Sequence, residues 1–151
     1  MEIKRVSRNG LDFIGKEEGL RLKPYLCSAK VPTIGYGSTY YEDGTKVKMT
    51  DPAISKERAE QLFLNTLNHY EMCIYTSTRD DINQNQFDAL VSLCYNIGTH
   101  AFKKSTLLKR VNKDPNGPDV EDAFLMWKNA GGKPILLGRR QREYKLYSKQ
   151  S

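Results

Sequence analysis

With 151 residues, 17.3 kDa, 38% hydrophobic and 28% charged side chains, the chain has the size and balance of one globular domain, which excludes wholesale disorder, a fibrous class and any need for stapling disulfides. Its three cysteines, Cys27, Cys73 and Cys94, are odd in number and include no CxxC pair, so neither a closed disulfide framework nor a zinc site is expected and reduced thiols are the default. The net charge is +6, and residues 133–151 carry six Lys or Arg against one Glu; such a basic end favours an anionic partner, whether nucleic acid, lipid headgroups or acidic envelope polymers, with a solvated helix face as the plainer alternative.

The first eight residues include Lys4, Arg5 and Arg8 but no apolar run behind them, and no later stretch approaches the ~20 apolar residues of a membrane helix. Synthesis in a cytoplasm, with outside help for any later export, is therefore expected. Ser7 is placed to cap a short helix with Leu11 and Ile14 on one face, and Glu18-Gly19 is placed to end it, which puts Glu18 at a helix C-terminus. From Leu20 to Lys48 the alternation, the glycines at 35, 37 and 44 and the Asp43-Gly44 turn signal predict a small antiparallel sheet.

From Ser55 the period turns helical, and Ala59, Leu62, Phe63, Leu67 and Ile74 line one stripe of a long helix suited to linking two lobes. Asn83-x-x-Gln86 reads as a capping box, followed by Phe87, Leu90, Val91 and Cys94 on one face of a helix central to the core. A short helix is expected around Ser105–Val111, then a break at Asp114-Pro115-Asn116-Gly117-Pro118. Asp119 is placed to cap a helix bearing Val120, Ala123, Phe124 and Trp127 that ends at Gly131-Gly132, and a basic helix follows over about Leu137–Ser148. The class is α+β: a small lobe with a short antiparallel sheet, then a helical lobe, with the groove between such lobes a natural place for a polymer.

Hydrolysis of a glycoside needs a protonated carboxyl beside the leaving oxygen and a second group across the ring. Glu18, Cys27 and Thr33 fall on a helix end and the adjoining β segment, so all three are placed to face one cleft. The blocks that surround them add to this. Glu17-Glu18-Gly19-Leu20-Arg21-Leu22-Lys23-Pro24-Tyr25 with Thr33-Ile34-Gly35-Tyr36-Gly37 resembles the catalytic segment of the phage-type lysozymes. Gln86-Phe87-Asp88-Ala89-Leu90-Val91-Ser92, Tyr95-Asn96-Ile97-Gly98-Thr99, Phe102-x-x-Ser105-Thr106-Leu107-Leu108, Trp127-x-x-Ala130-Gly131-Gly132-Lys133 and Arg139-Arg140-x-x-Glu143 are similar to that family's later blocks, in the same order.

The resemblance implies one lysozyme-like domain, residues 1–60 forming the N-terminal helix and β lobe and 61–151 the linking helix and helical lobe. It implies a muramidase acting without a cofactor on the glycan strand of peptidoglycan. Glu18 would be the general acid and Thr33 would help place water. Cys27 stands where most members carry an aspartate. An unperturbed thiol, with a pKa near ~8.5, lacks an aspartate's standing charge; ionised, Cys27 could attack the sugar and give retention, and neutral, it could only orient water and give inversion.

The resemblance further suggests that Arg139 approaches Glu18, with Arg140 as a substitute, and that Tyr95, Asn96 and Ser105 border the saccharide. For these three the structural alternatives are packing for Tyr95 and a helix cap for Ser105. Gly35 and Gly37 read as turn-formers, Cys94 as a buried structural thiol, Trp127 as core, and His69 and His100 as too few and too distant for a metal site. Residence in the host cytoplasm until a holin-like partner permits release, a monomeric state, no membrane-spanning segment and no nucleic-acid partner complete the expectation. A lytic transglycosylase, or a wall-binding module that has lost catalysis, is the rival reading.

Overall fold

The structure, a computed structural model, describes residues 3–150. In chain order it comprises α1 (Arg8–Glu18), β1 (Arg21–Leu26), β2 (Pro32–Gly35), α2 (Lys56–Ser77), α3 (Gln84–Ile97), α4 (Thr99–Lys103), α5 (Thr106–Lys113), α6 (Val120–Leu125) and α7 (Leu137–Ser148). Two compact units divide the chain, one of Asp12–His69 and one of the residues up to Leu11 together with those from Tyr70 onward. The second is thus discontinuous in sequence.

Local chemistry sets the ends of α1 as the sequence predicts. The Ser7 hydroxyl accepts the Gly10 N–H at 3.0 Å, and Gly19, at φ 78°, takes the left-handed conformation that stops a helix while its N–H reaches Gly15 O at 2.9 Å. Leu11 and Ile14 are buried.

In the unit of Asp12–His69, β1 and β2 pair antiparallel with Arg21 opposite Gly35 and Tyr25 opposite Thr33, and the register shifts between those pairs. Pro24 lies in the shifted stretch and has no N–H to give the ladder, so the strand bulges there. The displaced Leu22 carbonyl instead accepts the Ile54 N–H at 2.9 Å. Gly35 and Gly37, at φ 68° and 97°, make a tight turn closed by two bonds between Ile34 and Ser38, and a turn also forms at Asp43-Gly44, as predicted. Ile34, Val47 and Leu62 form a buried cluster joined by Tyr41 and Ile54. Tyr36 stacks on Phe63 with ring centroids 4.7 Å apart. Gly15 makes room for that ring: a Cβ there would lie 3.3 Å from Tyr36 Cε1, so this glycine fixes how closely the helix that ends at Glu18 sits on the tyrosine.

In the helical unit, α3 is the centre. Its capping box forms as predicted, Asn83 Oδ1 accepting the Gln86 N–H and Gln86 Oε1 accepting the Asn83 N–H. Every residue from Gln86 to Cys94 is buried. Helix α7 packs on α3 and α6, and α5 on α6. Buried Asp88 accepts the Ser7 N–H at 3.1 Å, the Ser7 hydroxyl at 2.5 Å and the Gln84 side-chain amide at 2.8 Å, which ties the start of the chain to α3.

Two expectations are corrected in this unit. Asp119 precedes α6 without a capping side-chain bond; its carboxylate instead lies 3.6 Å from Arg110 Nε, and its carbonyl accepts from Arg110 Nη1. Helix α6 stops at Leu125, and the following N–H groups of Trp127 and Lys128 bond three residues back. Trp127, beyond the end of the helix, is half-buried and not core. Helix α4, a single turn after Gly98, has no signal strong enough to be read from sequence.

Candidate active site

Glu18 is the last residue of α1; it is half-buried, with Oε2 shielded from solvent. Three residues later β1 begins, and its far end carries Cys27 into a hairpin loop. The Lys30 N–H bonds to Cys27 O at 2.8 Å and the Cys27 N–H to Val31 O at 3.1 Å, which leaves Ser28-Ala29-Lys30 as the three-residue loop, with Lys30 left-handed at φ 61°. The Cys27 thiol is held below its ordinary range, chiefly by the neighbouring backbone N–H groups of Val31 and Ala29, with a smaller contribution from the Thr33 hydroxyl. Thr33 itself is buried, and its hydroxyl donates to Val31 O at 2.8 Å.

Tyr25 reports on the whole neighbourhood. It stands opposite Thr33 across the ladder, and the Arg21 guanidinium lies over its ring, 4.5 Å from the centroid. Burial pushes its phenol up, Arg21 pulls it down, and both Glu18 and Cys27 raise it. The unit of Asp12–His69 thus holds Glu18, Cys27 and Thr33 together with a tyrosine that sequence reasoning did not single out, one that pairs with Thr33 and whose charge both Glu18 and Cys27 oppose. Its signal was available: position 25 alternates with 21 and 23 on a strand, between two candidate residues.

The other candidates lie in the helical unit. Tyr95 is half-buried and meets Tyr70 edge-on with centroids 4.9 Å apart. Asn96 is exposed, and its Oδ1 accepts from Arg140 Nη2 at 2.6 Å. Ser105 is buried; its hydroxyl donates to Phe102 O at 2.7 Å and accepts the Leu108 N–H at 3.0 Å, so the geometry supports the helix-cap alternative for it. Arg139 is buried on α7, donating from Nε to Glu143 at 3.1 Å and from Nη2 to the Ser92 carbonyl at 3.3 Å.

Arg139 belongs to a buried network in which Arg140 and Glu143 have no solvent exposure, Arg140 Nε lies 2.9 Å from Glu143 Oε1 and Ser92 Oγ donates to Glu143 Oε2 at 2.5 Å. Burial pushes the Glu143 carboxyl up, and the Arg140 and Arg139 guanidiniums oppose it. The basic last helix is therefore two-faced: Arg139 and Arg140 point inward, while Arg142 and Lys145 are exposed. An Arg-Arg-x-x-Glu run spaced for one helix face was the legible part of this, and its burial was not. Cys94 is buried with its thiol pushed up by desolvation and by neighbouring Cys73, which suits a structural thiol, and all three cysteines are free.

A family model described as phage lysozyme matches residues 15–143. The endolysin of Salmonella phage P22 is 44% identical over 144 residues, spanning 95% of this chain and 97% of that protein. Among solved structures, a point mutant of P22 lysozyme superposes with a TM-score of 0.84 at 42% identity, covering 96% of this chain and 99% of that one. The endolysin from Escherichia coli O157:H7 phage FAHEc1 does so with a TM-score of 0.87 at 37% identity, covering 97% and 94%.

Proposed function

Because the chain belongs to the phage lysozyme family, we propose that it is an endolysin, a lysozyme that hydrolyses the bond between N-acetylmuramic acid and N-acetylglucosamine in peptidoglycan and so lyses the bacterial wall. The extent of the match carries this reading: it takes in residues 15–143, and with them Glu18, Cys27, Thr33, Arg139 and Glu143.

In this reading Glu18 donates its proton to the bridging oxygen as the bond to the leaving sugar breaks. Cys27 is the second group across the ring, and Thr33 places the water. Support comes from their placement in one unit, with Thr33 opposite Tyr25 in the ladder, and from a Cys27 thiol held below its ordinary range by neighbouring backbone N–H groups. Tyr95 and Asn96 contact saccharide, an aromatic face and an amide suiting sugar rings and acetamido groups; Ser105 contributes by capping α5, and Arg139 by tying α7 to α3 through Glu143 and Ser92. The protein works as a monomer, is made in the host cytoplasm, and reaches the wall when a holin-like protein opens the membrane; expression with and without a holin should give lysis only in its presence.

The test is digestion of purified sacculi by wild type and Glu18→Gln, with products identified by mass spectrometry. Wild type should release reducing N-acetylmuramic acid ends, and Glu18→Gln should lose at least ~100-fold in rate, the usual contribution of a positioned acid. Anhydro-sugar ends would instead identify a transglycosylase, and binding without cleavage a wall-binding module.

A further inference from the structure

Arg140 is the largest fully buried side chain among the described residues, yet one of its partners stands at the surface. Its guanidinium spans two elements: Nε lies 2.9 Å from Glu143 Oε1 on α7, and Nη2 donates to Asn96 Oδ1 at 2.6 Å on α3. Asn96 is exposed in the last turn of α3, a place where a short polar side chain in water ordinarily turns between rotamers. A charge-assisted bond from inside the helical unit holds this one. Arginine carries donors and no acceptor, so the amide atom that meets it is the oxygen. Oδ1 therefore faces inward and Nδ2, with its two N–H groups, faces away from the guanidinium. Asn96 makes no other hydrogen bond among the described residues, so those donors remain for a ligand.

We propose that Arg140 is a positioning residue for substrate: from inside the helical unit it fixes the Asn96 amide with its N–H groups outward, as donors to the acetamido carbonyl of an N-acetylated sugar. The inference rests on the reading of Asn96 as a saccharide contact, and it gives that contact a direction and a ligand group. A hydroxyl can donate or accept and so meets either end of an amide, whereas a carbonyl only accepts and needs the nitrogen end. An amide locked in one orientation therefore selects for the carbonyl, and locking it beforehand removes an ordering cost from binding. The role is particular to arginine. A lysine at 140 would keep a positive charge against Glu143, but one ammonium replaces a fork whose two nitrogens face two partners.

The test reads binding without turnover, in a Glu18→Gln parent titrated by NMR. The probes are the β-1,4-linked tetramer of N-acetylglucosamine and the glucose tetramer of the same linkage, which has a hydroxyl in place of each acetamido group. In the free parent, the Asn96 side-chain amide should relax as rigidly as the backbone of α3, with an order parameter near ~0.85; this needs no substitution at Arg140. Asn96→Asp keeps an oxygen for Arg140 and removes the outward donors. It should leave Tm unchanged, weaken the acetylated tetramer about tenfold, as loss of one hydrogen bond does, and leave the glucose tetramer unaffected. Arg140→Lys should loosen the Asn96 amide and weaken the acetylated tetramer about threefold or more, with no further weakening in an Asn96→Ala background.

Full affinity of Asn96→Asp for the acetylated tetramer would overturn the donor role, as would an equal loss with both tetramers or a parent that binds neither. A freely turning Asn96 amide in the parent would overturn the positioning, and so would an Arg140→Lys effect that is the same with and without Asn96. Digestion of sacculi by the unaltered protein bears on the lysozyme reading alone, so the two can fail separately.

Discussion

Glu143 has no solvent exposure and faces two guanidiniums, Arg140 Nε at 2.9 Å and Arg139 Nε at 3.1 Å. Burial pushes the carboxyl up, the two cations pull it down, and the Ser92 hydroxyl donates to its Oε2. Removing one partner from such a cluster exposes the others to uncompensated burial. Glu143→Gln is therefore expected to cost about 3–5 kcal/mol of stability by chemical denaturation, far more than a surface pair such as Arg58–Glu42, whose partners are both about a third exposed and whose loss should cost under ~1 kcal/mol. At the site itself, Cys27→Asp should remain active, because a carboxylate supplies the standing negative charge and acceptor oxygens that the second group across the ring needs, whereas Cys27→Ala should lose about 100-fold or more. Rates on sacculi check both, and full turnover by Cys27→Ala would take the thiol out of the mechanism.

Element by element, what the sequence made legible were the features decided by neighbours in the chain. The Ser7 cap, the Gly19 stop, the Asn83-x-x-Gln86 box and the Asp43-Gly44 turn all depend on residues within four positions of one another, and all appear. What escaped includes a residue that found a more distant partner, Asp119, which turns from its expected capping role to Arg110, and one that lies past an early helix end, Trp127. Gly10 illustrates the same limit. A helix-interior glycine invites replacement by alanine, worth up to ~1 kcal/mol in propensity, but here a Cβ would overlap the Asp88 carboxyl, which Ser7 and Gln84 already pin. Gly10→Ala is expected to lower stability by about 1–3 kcal/mol, seen as a lower Tm.

The loop after β2 gives an acid-side prediction. Glu42 is held below its usual value chiefly by Arg58, Asp43 by the Thr45 amide and hydroxyl, and Asp51 by the Lys48 amide and Tyr41. Carboxyls depressed in the folded state stabilise it fully above their unfolded values, near ~4, and lose that contribution as pH falls through their lower folded values. The amides of Thr45 and Lys48 should thus begin to exchange faster below about pH 4 while α3 stays protected; uniform loss of protection would contradict a local origin.

For the molecule as a whole, the net charge of +6 was visible from the start, but its distribution was not. Arg139 and Arg140 spend their charge inside, so the outward cations of α7 are fewer than the sequence suggests, with Arg142 and Lys145 among those exposed. These are still expected to draw the protein to an anionic wall, and activity on sacculi should fall as salt shortens the Debye length toward ~3 Å at 1 M; a flat salt profile would remove that attraction. Of the candidate site, Glu18, Cys27 and Thr33 were chosen by their positions in the sequence, while the pairing of Tyr25 with Thr33 depends on a strand register that composition does not encode. Finally, the discontinuous unit bears on synthesis. The donors of Ser7 wait for Asp88, and Val6 and Arg5 wait for Glu71. On the ribosome, where chain emerges at roughly 5–20 residues per second, the first helix to leave the exit tunnel keeps a loose beginning for several seconds, and the earliest stretch translated is among the last to be secured.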